Sequence, residues 1–519
     1  MSERAGVGEA AGVGERPGRA ERARASDRLP FAASELRSRT IRGVAVNAAF
    51  LIVVETLALA QGLIVARLLG PSELGLYGIV SITVMTLIAL KRVGIDEAFV
   101  QQDERDQERE FQLAFTLELV LAAAFALLIA LAAPVLAVVY DESRLVPLTL
   151  ALAYLPIAFA LQAPLWIFFR RMDFLRQRSL QAIVPIVTFV VTVPLAAAGL
   201  GAWSIVIGAF AGNAASVTLA VRLSPHRLGL RFDRAAARRY LSFSWPILVV
   251  TAGGLLVAQG QVLAFKLDRG LAAAGFVSLA VGLTRYADRA EHVVSPAIYP
   301  AICAVRDRTR TLEELFTAAA RATAVWSLGF GALLVLFAPD VVDFLLGDEW
   351  AGAVVLLQGL GAASALYQLG YSWIAFARGL GRPRPPALEA VAAVTVFGGV
   401  ALPLLLAAGP TAYVLAICGS SLAVLAIRAY WIPRLLPGVR LGALLARAAW
   451  PVAVAAAAPL ALRLALWGGE RGAVQAACEA VLFVAVYVAV TLAAERPLVG
   501  ELRRAIRSPG GEPAAAQPA

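Results

Sequence analysis

Fourteen stretches of about twenty mostly apolar residues run through this chain, and nothing else in it restricts the fold so severely. A bilayer core about 30 Å thick is crossed by roughly 20 helical residues at 1.5 Å each, and inside it every backbone amide needs a partner from its own segment, which selects helices. The stretches lie near residues 44–66, 74–90, 111–139, 145–169, 180–198, 202–221, 243–265, 273–303, 315–338, 351–377, 387–408, 411–430, 443–466 and 473–494. With 60% hydrophobic and 16% charged residues among 519, a soluble globular chain is excluded. The expected fold class is an all-α polytopic membrane protein with about 14 transmembrane helices.

Basic residues set the orientation, because loops rich in Lys and Arg stay on the cytoplasmic side. Residues 1–42, 91–110, 170–178, 222–240, 304–313, 378–386, 428–447 and 495–519 carry most of the 46 Lys and Arg, whereas the alternate loops hold only Arg67, Arg144, Lys266, Arg269 and Arg471. Both termini are therefore expected inside, and only an even number of spans satisfies that pattern. Residues 1–40 and 496–519 read as cytoplasmic tails, the first of them disordered and without a cleavable signal pattern, and 223–240 as a basic cytoplasmic loop. The net charge of +10 is spread over short loops, which points to anionic lipid head groups as partners and not to nucleic acid. Cys303, Cys418 and Cys478 lie in separate apolar segments without a CxxC or a neighbouring histidine, so helix packing is their expected role, not a disulfide framework or a zinc site.

The chain also resembles itself about 200 residues further on. Gln61-Gly62 before Arg67-Leu68 and Gly75 matches Gln259-Gly260 before Lys266-Leu267 and Gly275. Phe111 to Pro134 followed by Asp141-Glu142 matches Phe316 to Pro339 followed by Asp348-Glu349, and Gln162, Trp166, Phe169 and Arg170 match Gln368, Trp373, Phe376 and Arg378. The shared order and offset imply two parallel repeated six-helix lobes, 41–222 and 241–430, related by an axis along the membrane normal. A substrate site is expected between them, and 431–495 holds two additional C-terminal helices.

The eighth stretch breaks its own apolar pattern with Thr284-Arg285-Tyr286-Ala287-Asp288-Arg289-Ala290-Glu291-His292. As an α-helix it would place Arg285, Asp288, Arg289 and His292 on one face about 100° wide, with Glu291 just beside it. Facing lipid, each ion would cost roughly 2.5–3.5 kcal/mol, so the face meets protein or water, as a structural ion-pair network or as a hydrophilic translocation path. Glu55 stands about 16 Å into the first span, near the midplane. There a carboxyl either couples proton uptake to conformation or holds helices together. Asn47 and Gln61 lie within about 60–80° of it by helical phase, and Gln259 is the repeat counterpart of Gln61, so these three are cavity candidates. Arg67 and Lys266 read as interfacial anchors. Glu118, Arg321, Glu389, Arg463 and Glu479 read as side chains reaching the interface from span ends, and Trp166, Trp203, Trp245, Trp373 and Trp431 as an interfacial belt.

The stretch Ala66-Arg67-Leu68-Leu69-Gly70-Pro71-Ser72-Glu73-Leu74-Gly75-Leu76-Tyr77 resembles the bacterial oligosaccharide flippases, the polysaccharide transporters of the multidrug/oligosaccharidyl-lipid/polysaccharide (MOP) exporter superfamily. Phe169-Arg170-Arg171-Met172-Asp173-Phe174 and Ser295-Pro296-Ala297-Ile298-Tyr299-Pro300-Ala301 extend the likeness over residues 40–430, and the last two spans match the family's longer members. The resemblance implies two lobes flanking a central cavity and export of undecaprenyl-pyrophosphate-linked glycans across the bacterial cytoplasmic membrane by alternating access. It implies no catalytic residue and no cofactor, with glycan polymerase and glycosyltransferases as partners. Where such proteins often carry a Tyr-Arg pair early in the eighth span, this chain has Val281-Gly282. Arg285 and Arg289 suit a pyrophosphate, because guanidinium stays charged and binds oxyanion edges bidentately, unless Asp288 neutralises one of them. His292 either titrates near neutrality or serves as a hydrogen-bonded structural group. No P-loop pattern is present, and loops such as 339–350 are too short for an external catalytic domain, so an enzyme is not expected. Two alternatives stay open: a cation-coupled multidrug antiporter of the same superfamily, and a non-transporting membrane scaffold.

Overall fold

The computed structural model of the protein describes residues 33–91, 94–101, 106–171, 173–234, 245–305, 307–382, 384–467 and 472–494. The two expected tails lie outside these, apart from 33–40, which already belong to the first helix, and so does the 235–240 part of the inter-lobe loop. Among the described residues ten helical runs are long and apolar enough to cross a membrane. Two of them, Val53–Lys91 and Arg384–Leu435, each hold two expected spans. Helix Trp245–Arg269 supplies the seventh span, and Leu271–Thr284 with Arg289–Ala304 the eighth. Over their described residues all fourteen segments are therefore helical, and the chain is an all-α multi-pass membrane protein.

The double runs turn at glycines in a conformation that residues with side chains rarely adopt: Gly70 (φ 73°, ψ 171°) before Pro71, and Gly409 (φ 82°, ψ −170°) before Pro410. Proline suits the first turn of the helix that follows, where its missing amide hydrogen costs nothing. Gly270 (φ 83°, ψ −174°) makes the same break between the seventh and eighth spans, so both lobes link their first two helices with one geometry.

The repeat extends to single hydrogen bonds. Glu108 Oε1 accepts from the Arg227 amide at 3.3 Å, and Glu313 Oε1 accepts from the Gly438 amide at 2.6 Å. Each glutamate stands one turn before a fully buried phenylalanine, Phe111 or Phe316. In both lobes, then, the segment leaving the sixth helix is tied to the start of the third. Where the lobes meet, counterparts meet. A Cβ on Gly75 would lie 2.3 Å from the Leu271 carbonyl oxygen, and one on Gly275 would lie 1.9 Å from that of Pro71. Residues that contact their own equivalents lie on a two-fold axis, which here passes between the second and eighth spans. The main buried core, including Ile79, Val80, Val277 and Ala280, packs along this seam. We call the end bearing Gly70, Gly270 and Gly347 distal and the opposite end proximal.

Three pairs of opposite charges within the described spans meet across helices. Lys91 binds Glu118, Arg463 Nε donates to Glu479 Oε2 at 2.7 Å, and Arg428 Nε donates to Glu389 Oε2 at 3.1 Å. This corrects the expectation that Glu118, Glu389, Arg463 and Glu479 reach the interface. Each burial is tolerated because a counter-charge arrives from another helix, which the phase of a single helix cannot show. Arg321 is half-buried. Trp373 is buried too, its indole N–H donating to Glu389 Oε2 at 2.8 Å, and so stands outside the expected belt. Cys303 and Cys478 are exposed, which leaves helix packing to Cys418, whose thiol lies 3.5 Å from the Gly359 carbonyl.

Candidate functional site

A cavity of about 270 Å³ lies between the first, second and eighth spans. Small residues make the space: a Cβ on Gly62 or Gly282, both in its lining, would meet nothing within 4 Å. The Gly75–Gly275 contact bounds it distally. Arg285 and Tyr286 line its proximal part. Three residues beyond Tyr286, Arg289 Nη2 stands 3.2 Å from Glu55 Oε2, three residues before the cavity-lining Ala58. This pair ties the first span to the eighth, and so one lobe to the other.

The eighth span delivers these groups because it is not one α-helix. Leu271–Thr284 tightens into a 3-10 turn at Arg285–Asp288 before Arg289–Ala304 continues. A 3-10 turn advances about 120° per residue instead of 100°, so the single charged face expected for a regular helix is split. Arg285 is exposed at the cavity, and Arg289 reaches Glu55 while its guanidinium lies 5.6 Å from the centre of the Tyr286 ring. Asp288 Oδ2 is 3.7 Å from Nε2 of the mostly exposed His292, so the partner of Arg289 is Glu55 of the other lobe and not Asp288. Two buried atoms here, Asp288 Oδ1 and Arg289 Nε, have no hydrogen-bond partner. Unmatched buried polar atoms are rare enough to point to a bound ligand or water.

The other candidates are placed differently. Gln61 is half-buried beside Gly62 and outside the cavity lining. Gln259 is occupied elsewhere: the Tyr140 hydroxyl donates to its Oε1 at 2.9 Å and its amide donates to Thr83 Oγ1 at 2.5 Å, joining the seventh span to the second and third. The side chain of Asn47 lies outside the described residues. Arg67 is more than an anchor, since it donates to the carbonyls of Phe344 (3.1 Å) and Leu345 (3.0 Å) and so clasps the distal end of the ninth span to the first. Nearby, Arg144 pairs with Glu73 at 2.8 Å and with Glu142 at 3.0 Å. The hydrogen bond from Arg144 outweighs desolvation and holds the Glu142 carboxyl below its ordinary range.

Sequence reasoning gave Glu291 no role, yet it is 7% exposed and accepts hydrogen bonds from the hydroxyls of Ser295 and, at 2.8 Å, Ser372. Its partner Ser372 is 81 residues away on the tenth span, beyond the reach of local pattern. Among the described residues no three His, Cys, Asp or Glu side chains converge as a metal site.

The comparisons with known proteins agree with this architecture. No curated protein matches the chain by sequence. Its fold is similar to that of the lipid II flippase MurJ in an inward closed conformation, with a TM-score of 0.64 over 87% of this chain and 99% of that one at 12% identity. It is also similar to the inward-facing conformation of a multidrug resistance MATE family transporter of the MOP superfamily, with a TM-score of 0.60 over 74% of this chain and 96% of that one at 13% identity. At such identities the likeness is one of fold. The family model described as polysaccharide biosynthesis protein matches residues 64–355, more than half of the sequence, and the chain belongs to that family.

Proposed function

We propose that the chain carries a polyprenyl-(pyro)phosphate-linked oligosaccharide, or a related polysaccharide precursor, from the cytoplasmic to the external leaflet by alternating access. The observation that carries this reading is the Glu55–Arg289 pair set beside Arg285 at the inter-lobe cavity. Arg285 forms no ion pair among the described residues, and Arg289 keeps a buried Nε without a partner, so the two guanidinium groups retain donors for a phosphate group. Guanidinium forks match phosphate oxygens in charge and geometry. Family membership supports a glycan cargo, and the fold supports movement across a membrane.

In this reading the distal end is external and closed by Gly75–Gly275 and by Arg67, while the proximal end is cytoplasmic and carries both termini. Opening the distal contacts while closing the proximal ones would complete the cycle, with the two lobes rocking about the shared axis. The reading places the chain in the bacterial cytoplasmic membrane, among anionic lipids, with glycan polymerase and glycosyltransferases as partners. No covalent bond changes, and the chain acts as a carrier and not as an enzyme.

Reconstitution in vesicles with a fluorescent polyprenyl-pyrophosphate oligosaccharide tests this. Flipping is expected from the native chain, with strong loss in Arg285→Ala and Arg289→Ala and partial loss in the Lys variants. Cation-driven movement of a lipophilic drug without glycolipid flipping would establish the multidrug antiporter. Movement of neither would leave the scaffold.

A further inference from the structure

Several charges among the spans have counter-ions on other helices: Lys91 and Glu118, Arg428 and Glu389, and Arg463 and Glu479. Glu291 is buried as well, with 7% exposed. It stands on the proximal half of the eighth span and forms no ion pair among the described residues. Hydroxyls hold both of its oxygens, Ser295 on Oε1 and Ser372 on Oε2.

Ser372 sits where the tenth span is interrupted. Helix Ala353–Gln368 ends at Leu369 in extended backbone (φ −62°, ψ 115°), Gly370 takes φ +71°, and helix resumes at Trp373. The carbonyls freed at Tyr367 and Leu369 are held by Arg428 from the twelfth span. The interruption is thus held by the Arg428 guanidinium on its carbonyls and by the Glu291 carboxylate on Ser372.

We propose that Glu291 is a proton-binding site whose protonation releases the grip on Ser372 and frees the proximal half of the eighth span. A buried carboxylate without a counter-ion depends on its hydrogen bonds to stay charged, and here two hydroxyls supply them. Taking up a proton on one carboxylate oxygen removes the charge that strengthens both bonds, and loss of that proton restores them. No other bond changes. His292, with 69% of its side chain exposed, is the titratable neighbour on the same span, alongside Asp288 and Arg289. Tyr371 on the tenth span feels the charge of Glu291 together with those of Arg378 and of the Glu389–Arg428 pair. Immediately before this half-helix lies the 3-10 turn Arg285–Asp288, and a 3-10 stretch inside a helix often marks a hinge. Movement of Arg289–Ala304 about it carries Arg289 away from Glu55, so proton uptake at Glu291 loosens the tie between the lobes. The proposal rests on the transporter reading for its consequence in transport and on geometry alone for the switch.

The test uses the full chain in lipid nanodiscs without any glycolipid, with spin labels at the exposed positions Thr56 and Val293 on the first and eighth spans. Between pH 8 and pH 5 the distance distribution of the native chain is expected to shift to longer values. Glu291→Gln should hold the longer distance at every pH. Ser372→Ala removes the gripped hydroxyl itself and should likewise hold the longer distance at every pH. A native chain whose distances ignore pH, or a Glu291→Gln or Ser372→Ala variant that keeps the native transition, would overturn the proposal. Ser372→Ala preserves the test if the Gln variant fails to fold. Because no glycolipid is present, the result stands whichever way the flipping assay comes out.

Discussion

Gly75 and Gly275 touch their counterparts' helices across the axis that relates the two lobes, and neither has room for a methyl group. A Cβ on Gly275 would fall 1.9 Å from the Pro71 carbonyl oxygen, which is backbone and cannot swing aside. The distal contact between the lobes therefore depends on glycine at both positions. Gly275→Ala is expected to cost about 1–3 kcal/mol as overpacking and to part the lobes distally. Labels at Ser72 and Asp348 should report a longer distance in the variant than in the native chain. An unchanged distance with unchanged thermal stability would mean that the helices do not meet there.

Buried charge in the C-terminal lobe gives a sharper stability test. Arg428 and Glu389 have side chains 0% and 3% exposed, and Arg428 also lies over the rings of Tyr367 (5.0 Å) and Tyr371 (5.3 Å). Glu389→Leu leaves that guanidinium without its counter-ion and should destabilise the chain by about 3–5 kcal/mol. Replacing both, Glu389→Leu with Arg428→Met, should recover most of the loss, because two apolar side chains need no partner. Thermal unfolding in detergent decides this, and equal losses in the single and double variants would contradict the pairing.

Much of the fold was legible because its signals are local or periodic. Apolar runs mark the helices, and the glycine-proline step at Gly70-Pro71 marks the link between the first two. The repeat was legible from its offset alone, with Gly75 and Gly275 already among the matched residues. The ion pairs were not legible. Glu389 and Arg428 are 39 residues apart, and Glu55 and Arg289 come from different lobes, so only the packed bundle brings them together. The 3-10 turn at Arg285–Asp288 carries no glycine or proline to announce it, which is why a regular helix face was expected there. Glu291 stood just outside that expected face and was passed over.

The segment after the sixth span is expected to respond to pH. His226 packs its ring 5.9 Å from that of Phe111, beside the bonds from the Arg227 amide to Glu108 and from the Arg231 amide to Thr116. Burial, helped by the positive charge of Arg171, pushes the His226 imidazole below its ordinary value. A depressed value means that the folded chain resists protonation there. The stability this confers is present above the unfolded value of about 6.5 and is lost as pH falls through the folded one. Amide exchange at Arg227 and Arg231, corrected for intrinsic rates, should therefore rise on acidification below about pH 6.5, and His226→Gln should remove that dependence. Exchange that rises equally in both proteins would place the sensitivity elsewhere.

The pair between Glu55 and Arg289 separates a latch from a substrate contact. Their side chains are 22% and 39% exposed, so losing the pair should cost little stability, about 0–1 kcal/mol as for solvent-screened ion pairs. Asp288→Ala should leave Arg289 in place, since Asp288 faces His292 instead. Exchanging the charges, Glu55→Arg with Arg289→Glu, rebuilds an ion pair between the lobes but puts a carboxylate next to Arg285 where a phosphate would need a cation. The exchanged variant should fold and insert like the native chain, and its lobe-to-lobe distance should be close to native. Its glycolipid flipping should be lost, because like charges repel and Arg285 alone offers half of the donors. Flipping at the native rate in the exchanged variant would show that Arg289 serves only as half of a latch, and would move substrate recognition away from the eighth span.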